Sequence, residues 1–138
     1  MKVVFDTNMI LNAAMGHPGY EEAQELIQAV VNEKISGLIT ANSISDIHYV
    51  VRKKLGEETA REVIYNVLSL FDVAPVDGEI CFEALNLAME DYEDAVLAVC
   101  AFHEEAEYIA TNDAGLVSAK ESPVKALLPA DVLEKIKK

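Results

Sequence analysis

Short apolar runs alternate with helix-spaced segments along the whole chain, and this alternation leaves few ways to fold it. Lys2–Phe5, Gly37–Thr40, Phe71–Pro75 and Glu107–Ala110 read as strands, with Val124–Leu127 as a fifth. Asn8–Ala14 reads as a helical start, broken by the turn cluster Gly16-His17-Pro18-Gly19. Tyr20–Asn32 carries Ala23, Leu26, Ile27, Val30 and Val31 at helical spacing, and Ser43–Leu55 does the same through Ile44, Ile47, Val50 and Val51. Gly56 ends that helix; Glu57–Leu70, Gly78–Met89, Tyr92–Glu105 and Ala130–Lys138 read as further helices. Strands alternating with helices predict an α/β fold with a parallel sheet. The strands are unbroken apolar runs, as strands covered on both faces are. The expected architecture is a three-layer α/β/α fold around a central parallel sheet of about five strands. At 138 residues one domain over 1–138 is expected, and a composition 51% hydrophobic supplies its core.

Two of the strands stop at nearly the same polar trio. Val3-Val4-Phe5 ends in Asp6-Thr7-Asn8, and Tyr108-Ile109-Ala110 ends in Thr111-Asn112-Asp113. In open parallel sheets, sites form outside the carboxyl ends of strands where the strand order switches. Each residue alone also has a bland reading, because Asp, Thr and Asn are common helix N-caps and turn formers. Two matching ends in one short chain weigh towards a shared site, with Thr7, Asn8, Thr111 and Asn112 placed to hydrogen-bond the carboxylates.

Further acids sit near helix starts. Ser43-Ile44-Ser45-Asp46 fits a capping box, with Asp46 reaching back to the first backbone amide. Asp91-Tyr92-Glu93-Asp94 precedes an apolar run, where acids complement the helix dipole. Asp91 and Asp94 are three apart, which puts both on one helical face. Four carboxylates meeting in one mouth cannot all stay ionised without a cation, since like charges raise one another's pKa. A hard divalent ion, Mg²⁺ or Mn²⁺, suits carboxylates and waters.

Other chemistries find no support. His17, His48 and His103 are isolated, so no zinc pattern appears. There is no GxGxxG or Walker A stretch and no GxSxG elbow. Cys81 and Cys100 form no CxxC pair and read as buried free thiols. No run approaches the length of a membrane span, and Asp6 interrupts the first apolar run at once, so a soluble, cytoplasmic protein is expected.

The ordered set FDTN, an acid in the helix after the second strand, DYEDAVLAVCA and YIATND resembles the PIN-domain ribonucleases, which include the VapC toxins of toxin–antitoxin pairs. The resemblance runs from Met1 to about Leu128, and ANSISDIHYVVRK resembles one PIN subgroup. It implies metal ligands at Asp6, Asp46, Asp94 and Asp113, with Asn8 and Thr111 orienting the site and Asp91 as an extra acid. The second acid is usually Glu in the wider family; Asp46 is shorter, and the resemblance puts it at the metal directly or through water. The implied activity is a metal-dependent endoribonuclease carrying one or two Mg²⁺ or Mn²⁺ ions. Its implied partners are RNA, a second copy in a homodimer, and an antitoxin whose tail blocks the site. Two other readings stay open: a Mg²⁺-dependent receiver-like phosphotransfer domain, which would want paired acids after the first strand, and a binding module with an idle acidic pocket.

The net charge of −13 opposes simple nucleic-acid binding, which uses Lys and Arg to neutralise phosphates. Bound divalent ions would supply positive charge at the site. Arg52-Lys53-Lys54 is the densest basic cluster and is expected to line the RNA path; its bland alternative is a helix end favouring cations. Lys120, Lys125 and the tail residues Lys135, Lys137 and Lys138 supply further positive charge.

Overall fold

The computed structural model describes residues 1–137; Lys138, at the end of the expected last helix and lysine tail, lies outside them. Five strands form one parallel sheet: β1 (Lys2–Phe5), β2 (Ser36–Thr40), β3 (Asp72–Ala74), β4 (Tyr108–Ala110) and β5 (Ala126–Leu127). Their order is β3-β2-β1-β4-β5. The chain thus moves outward from β1 to β3, then returns to the other side of β1 through β4. The switch point lies between β1 and β4, whose register pairs Phe5 with Ala110. The next residues, Asp6 and Thr111, therefore emerge side by side.

Eight helices connect the strands: α1 (Thr7–Met15), α2 (Tyr20–Val31), α3 (Ala41–Leu55), α4 (Glu57–Leu70), α5 (Gly78–Leu85), α6 (Tyr92–His103), α7 (Ala114–Val117) and α8 (Pro129–Lys137). Alternate strand residues face opposite layers. Val3, Phe5, Ile39 and Ala110 pack with Met9, Leu26, Ile47, Val67 and Val132 from α1 to α4 and α8. Val4, Leu38 and Ile109 pack with Leu97, Ala98, Ala101 and Leu116 from α6 and α7. Helix α6 is buried at every position from Ala95 to Ala101, the mark of a helix covered on all sides. Its outer cover is α5, through Ile80 and Ala84. The result is the expected three-layer α/β/α arrangement.

Two glycines answer to geometry. A Cβ on Gly37 would meet the Phe71 ring at 2.8 Å and Val30 Cγ2 at 2.9 Å. That close approach lets Phe71 stack edge-on against Phe5, with ring centroids 4.9 Å apart. Gly56, at φ +94°, turns the chain between α3 and α4.

Several expectations need correction. Helix α3 starts at Ala41 with Thr40 as N-cap, so Ser43 is inside the first turn and cannot open a capping box with Asp46. Helix α5 stops at Leu85, four residues before the expected Met89, because Asn86 and Leu87 turn back onto the carbonyls of Glu83 and Ala84. The short α7 was not foreseen, and Asp113 caps it. Both cysteines are free, yet only Cys100 is buried; Cys81 is half-buried on α5.

Candidate active site

The site grows from β1. Asp6 leaves the strand as the N-cap of α1, and its Oδ1 accepts from the Thr7 amide at 2.8 Å. Its Oδ2 accepts from the Thr111 hydroxyl at 2.8 Å and from Asn8 Nδ2 at 3.3 Å. Thr111 is fully buried, and its Oγ1 also receives the Asp113 amide at 3.0 Å and Asn8 Nδ2 at 3.5 Å. Asn8 Oδ1 accepts from the Asn112 amide at 3.2 Å. The two polar trios at the ends of β1 and β4 are thus one hydrogen-bonded network across the switch point. Asn8 and Thr111 hold the Asp6 carboxylate from both sides of this network.

A second network joins β2. Thr7 Oγ1 donates to Ser43 Oγ at 2.8 Å, and Ser43 Oγ lies 2.9 Å from Thr40 Oγ1. The buried polar residues among those described are Thr40, Ser43 and Thr111, and all three stand at this end of the sheet. No buried side-chain polar atom among the described residues lacks a partner. Among the described residues the buried hydroxyls stand at this end of the sheet, each satisfied, and hold it in one arrangement.

The acids lie around two adjoining cavities. One, of about 140 Å³, is lined by Asp6, Asp46, Asp94, Glu93, Thr7 and Ser43 among others. The other, of about 390 Å³, is lined by Asp91, Asp94, Asp113, Glu90 and Glu121 among others. Asp94 belongs to both. Burial drives the Asp6 carboxyl above its ordinary value; hydrogen bonds from Thr111, Thr7 and Asn8 pull it back, while the Asp113 charge adds to the rise. The Asp94 carboxyl is pushed up to about 6, first by burial and then by the charges of Asp91, Asp6, Asp113 and Glu93. Asp6, Asp94 and Asp113, distant in sequence, therefore feel one another's charge.

Much of this acid also does local structural work. Asp91 caps α6 by accepting the Asp94 amide at 3.2 Å, so it is the residue before the helix rather than part of a helical face. Asp113 caps α7 by accepting the Gly115 amide at 2.9 Å. Each cap uses one carboxylate oxygen. Asp46 and Asp94 accept no side-chain hydrogen bond from the described residues. Among the described residues, no three His, Cys, Asp or Glu side chains stand close enough to hold a metal ion by themselves. The donor set fits a hard ion of the Mg²⁺ type, which takes one or two carboxylates and keeps its waters.

Two contributors escaped the sequence reading. Glu93 lines the smaller cavity, one residue from Asp94. Ser43, read as a cap, is instead the junction of the hydroxyl network. The expected basic cluster disperses, since successive helical residues point about 100° apart. Arg52 Nε turns to Glu57 at 3.9 Å, Lys53 lies over the Tyr49 ring at 5.8 Å, and Lys54 is exposed.

A PIN-domain family model matches residues 2–115, so the chain belongs to the PIN-domain family. No curated protein matches the chain. Among solved structures it is similar to VapBC bound to DNA from Salmonella typhimurium, at TM-score 0.71 and 17% identity, covering 94% of this chain and 98% of that one. It is similar to VapBC2 from Rickettsia felis bound to a promoter DNA fragment, at TM-score 0.69 and 20% identity, with 93% and 98% covered. It is also similar to VapC20 from Mycobacterium tuberculosis, described as a sarcin–ricin loop cleaving toxin, at TM-score 0.70 and 11% identity, with 89% and 98% covered. At these identities the likeness is one of fold.

Proposed function

We propose that this protein is a metal-dependent endoribonuclease that hydrolyses RNA phosphodiester bonds at Asp6, Asp46, Asp94 and Asp113, as the toxin of a toxin–antitoxin pair. The observation that carries the reading is the Asp6–Thr111–Asn8 network at the switch point, with Asp94 shared between the two acidic cavities. Mg²⁺ or Mn²⁺ would be held by Asp6 and Asp94, with Asp46 and Asp113 acting directly or through water. When bound, such an ion supplies positive charge beside the phosphate and a water of lowered pKa.

The chain's own residues do the rest. Thr111 and Asn8 fix the Asp6 rotamer, so its carboxylate is aimed before any ligand arrives. The Thr7–Ser43–Thr40 hydroxyls tie the start of α1 to the start of α3 and so set Asp46 relative to Asp6. Burial and the charges of Asp91, Asp6, Asp113 and Glu93 push the Asp94 carboxyl up to about 6, so a bound cation would favour its ionised form. Among the described residues, the ionisable groups that line the smaller cavity are Asp6, Asp46, Glu93 and Asp94, which are carboxylates.

The partner assignments follow the relatives. VapBC structures from Salmonella typhimurium and Rickettsia felis, and a toxin–antitoxin complex from Klebsiella pneumoniae, share the fold. For an antitoxin we propose as seat the groove of about 400 Å³ between α1, α2 and α4, lined by Ile10, Ile27, Val63, Val67 and Phe71. A homodimer accords with the same reading. The deciding experiment is cleavage of several RNAs with Mn²⁺ or Mg²⁺, against EDTA and against Asp6→Asn and Asp94→Asn. Loss of cleavage in all three controls is expected. Wild-type protein that cuts no RNA with either metal returns the site to the idle-pocket reading.

A further inference from the structure

Residues 62–119 contain 13 carboxylate side chains and no Lys or Arg, so the whole formal charge of −13 lies in that stretch. In the rest of the chain 11 basic residues balance 11 acidic ones. A polyanion nearing the cleft is therefore repelled from α5 and α6 and admitted from the side of α3. What it meets there is ordered. Asn42, Asp46, Tyr49 and Lys53 are all exposed and follow one another at the spacing of a single helical stripe. The stripe begins inside the smaller acidic cavity, which Asn42 and Asp46 line. It continues to Tyr49, 57% exposed, and ends at Lys53, whose ammonium sits 5.8 Å from the Tyr49 ring centroid.

Neither residue is used by the fold. The buried face of α3 is Ser43, Ile47 and Val51. The neighbouring stripe is taken by α4, where Glu57 receives His48 Nε2 at 3.0 Å and Arg52 Nε at 3.9 Å. No carboxylate among the described residues pairs with Lys53. An exposed aromatic ring beside an unpaired cation, continuous with a site for phosphate chemistry, has the composition of a single-strand stacking platform. Along the helix axis, Tyr49 lies about 4.5 Å and Lys53 about 10 Å beyond Asp46, within reach of the nearest nucleotides.

We propose that Tyr49 and Lys53 form the track for single-stranded RNA entering the cleft. Tyr49 stacks on an unpaired base beside the scissile phosphate, and Lys53 neutralises a backbone phosphate. The proposal rests on the ribonuclease reading of the cleft. Its test uses Asp94→Asn protein, to prevent cutting, and a single-stranded RNA carrying 2-aminopurine, followed by anisotropy and by the fluorescence change on stacking. Tyr49→Ala should weaken binding about tenfold and remove the fluorescence change, while Tyr49→Phe keeps both. Lys53→Gln should weaken binding to all single strands alike and lower the salt slope by about one. Duplex RNA should not distinguish Tyr49→Ala from its parent. If the parent binds single strands and Tyr49→Ala matches it in both signals, the track is overturned and the stripe is left to a protein partner. If the otherwise wild-type chain neither binds nor cuts RNA with Mn²⁺, the ribonuclease reading itself fails.

Discussion

One hydroxyl holds the candidate site together. Thr111 Oγ1 donates to Asp6 while receiving the Asp113 amide, so a single buried atom links the carboxylates at the ends of two strands. Thr111→Val keeps the shape and removes both contacts. Leaving a buried amide and a buried carboxylate short of partners costs about 1–3 kcal/mol. The Asp6 carboxyl, deprived of its largest favourable hydrogen bond, should move further up, and Mn²⁺ affinity measured by calorimetry should drop about tenfold or more. Thr111→Ser, which restores the hydroxyl, should recover most of that affinity; equal affinity in Thr111→Val and wild type would remove the network from the site. Asp94 allows a test of opposite sign. Its pKa of about 6 exceeds its ordinary 3.8, so between those values the folded chain binds more protons than the unfolded one. Its contribution to stability is therefore lost as pH rises through about 6, and the ionised group is destabilising above that. Without metal, Asp94→Asn should be more stable than wild type at neutral pH, by about 1 kcal/mol after discounting for its exposure. The advantage should fade towards about pH 4. Thermal melts at the two pH values check it, and a variant less stable than wild type at neutral pH contradicts it.

At the scale of elements, periodicity located most of the fold. The four-residue Lys2–Phe5 strand and the Glu57–Leu70 helix have the bounds their patterns predict, because each is delimited by an abrupt change of polarity or by Gly56. What escaped was governed by contacts distant in sequence. Ser43 looks like an N-cap locally, yet the helix starts two residues before it, at Ala41 directly after the strand residue Thr40, so Ser43 turns inward to meet Thr7. Helix α7 is a single turn, too short for any periodicity, and is defined by the Asp113 cap. The candidate site was legible at the matching strand ends because Asp6 and Asp113 are capping residues beside the switch point. Its partition into two cavities was not, since that depends on how α6 and α7 pack. Sheet packing makes its own prediction at Gly37, where β2 passes under Phe71. A methyl there must displace an aromatic ring that is itself held by Phe5. Gly37→Ala should cost about 1–3 kcal/mol, as overpacking does, and lower the urea midpoint without changing the slope. An unchanged midpoint would mean the α2–Phe71 layer yields more readily than its packing implies.

At the scale of the whole molecule, a charge of −13 confined to residues 62–119 makes cations matter in two separable ways. Any salt screens the mutual repulsion of α5, α6 and their loops, and this diffuse effect follows ionic strength. A divalent ion held by Asp6 and Asp94, as proposed, would act by mass action instead, stabilising the native state by about 2.7 kcal/mol when its concentration is a hundred times Kd. The two are distinguished by holding ionic strength constant while exchanging NaCl for MnCl₂ at neutral pH. Wild type should melt higher with Mn²⁺ than with the matching Na⁺ solution. The Asp6→Asn, Asp94→Asn double variant should still respond to ionic strength, since most of the acidic stretch is intact, but should lose the extra rise. EDTA should return wild type to its Na⁺ value. The same Mn²⁺ increment in the double variant would place the ion in the diffuse atmosphere of the acidic lobe. Asp6 would then be only the cap of α1, and the raised pKa values of Asp6 and Asp94 a consequence of burial and neighbouring charge alone.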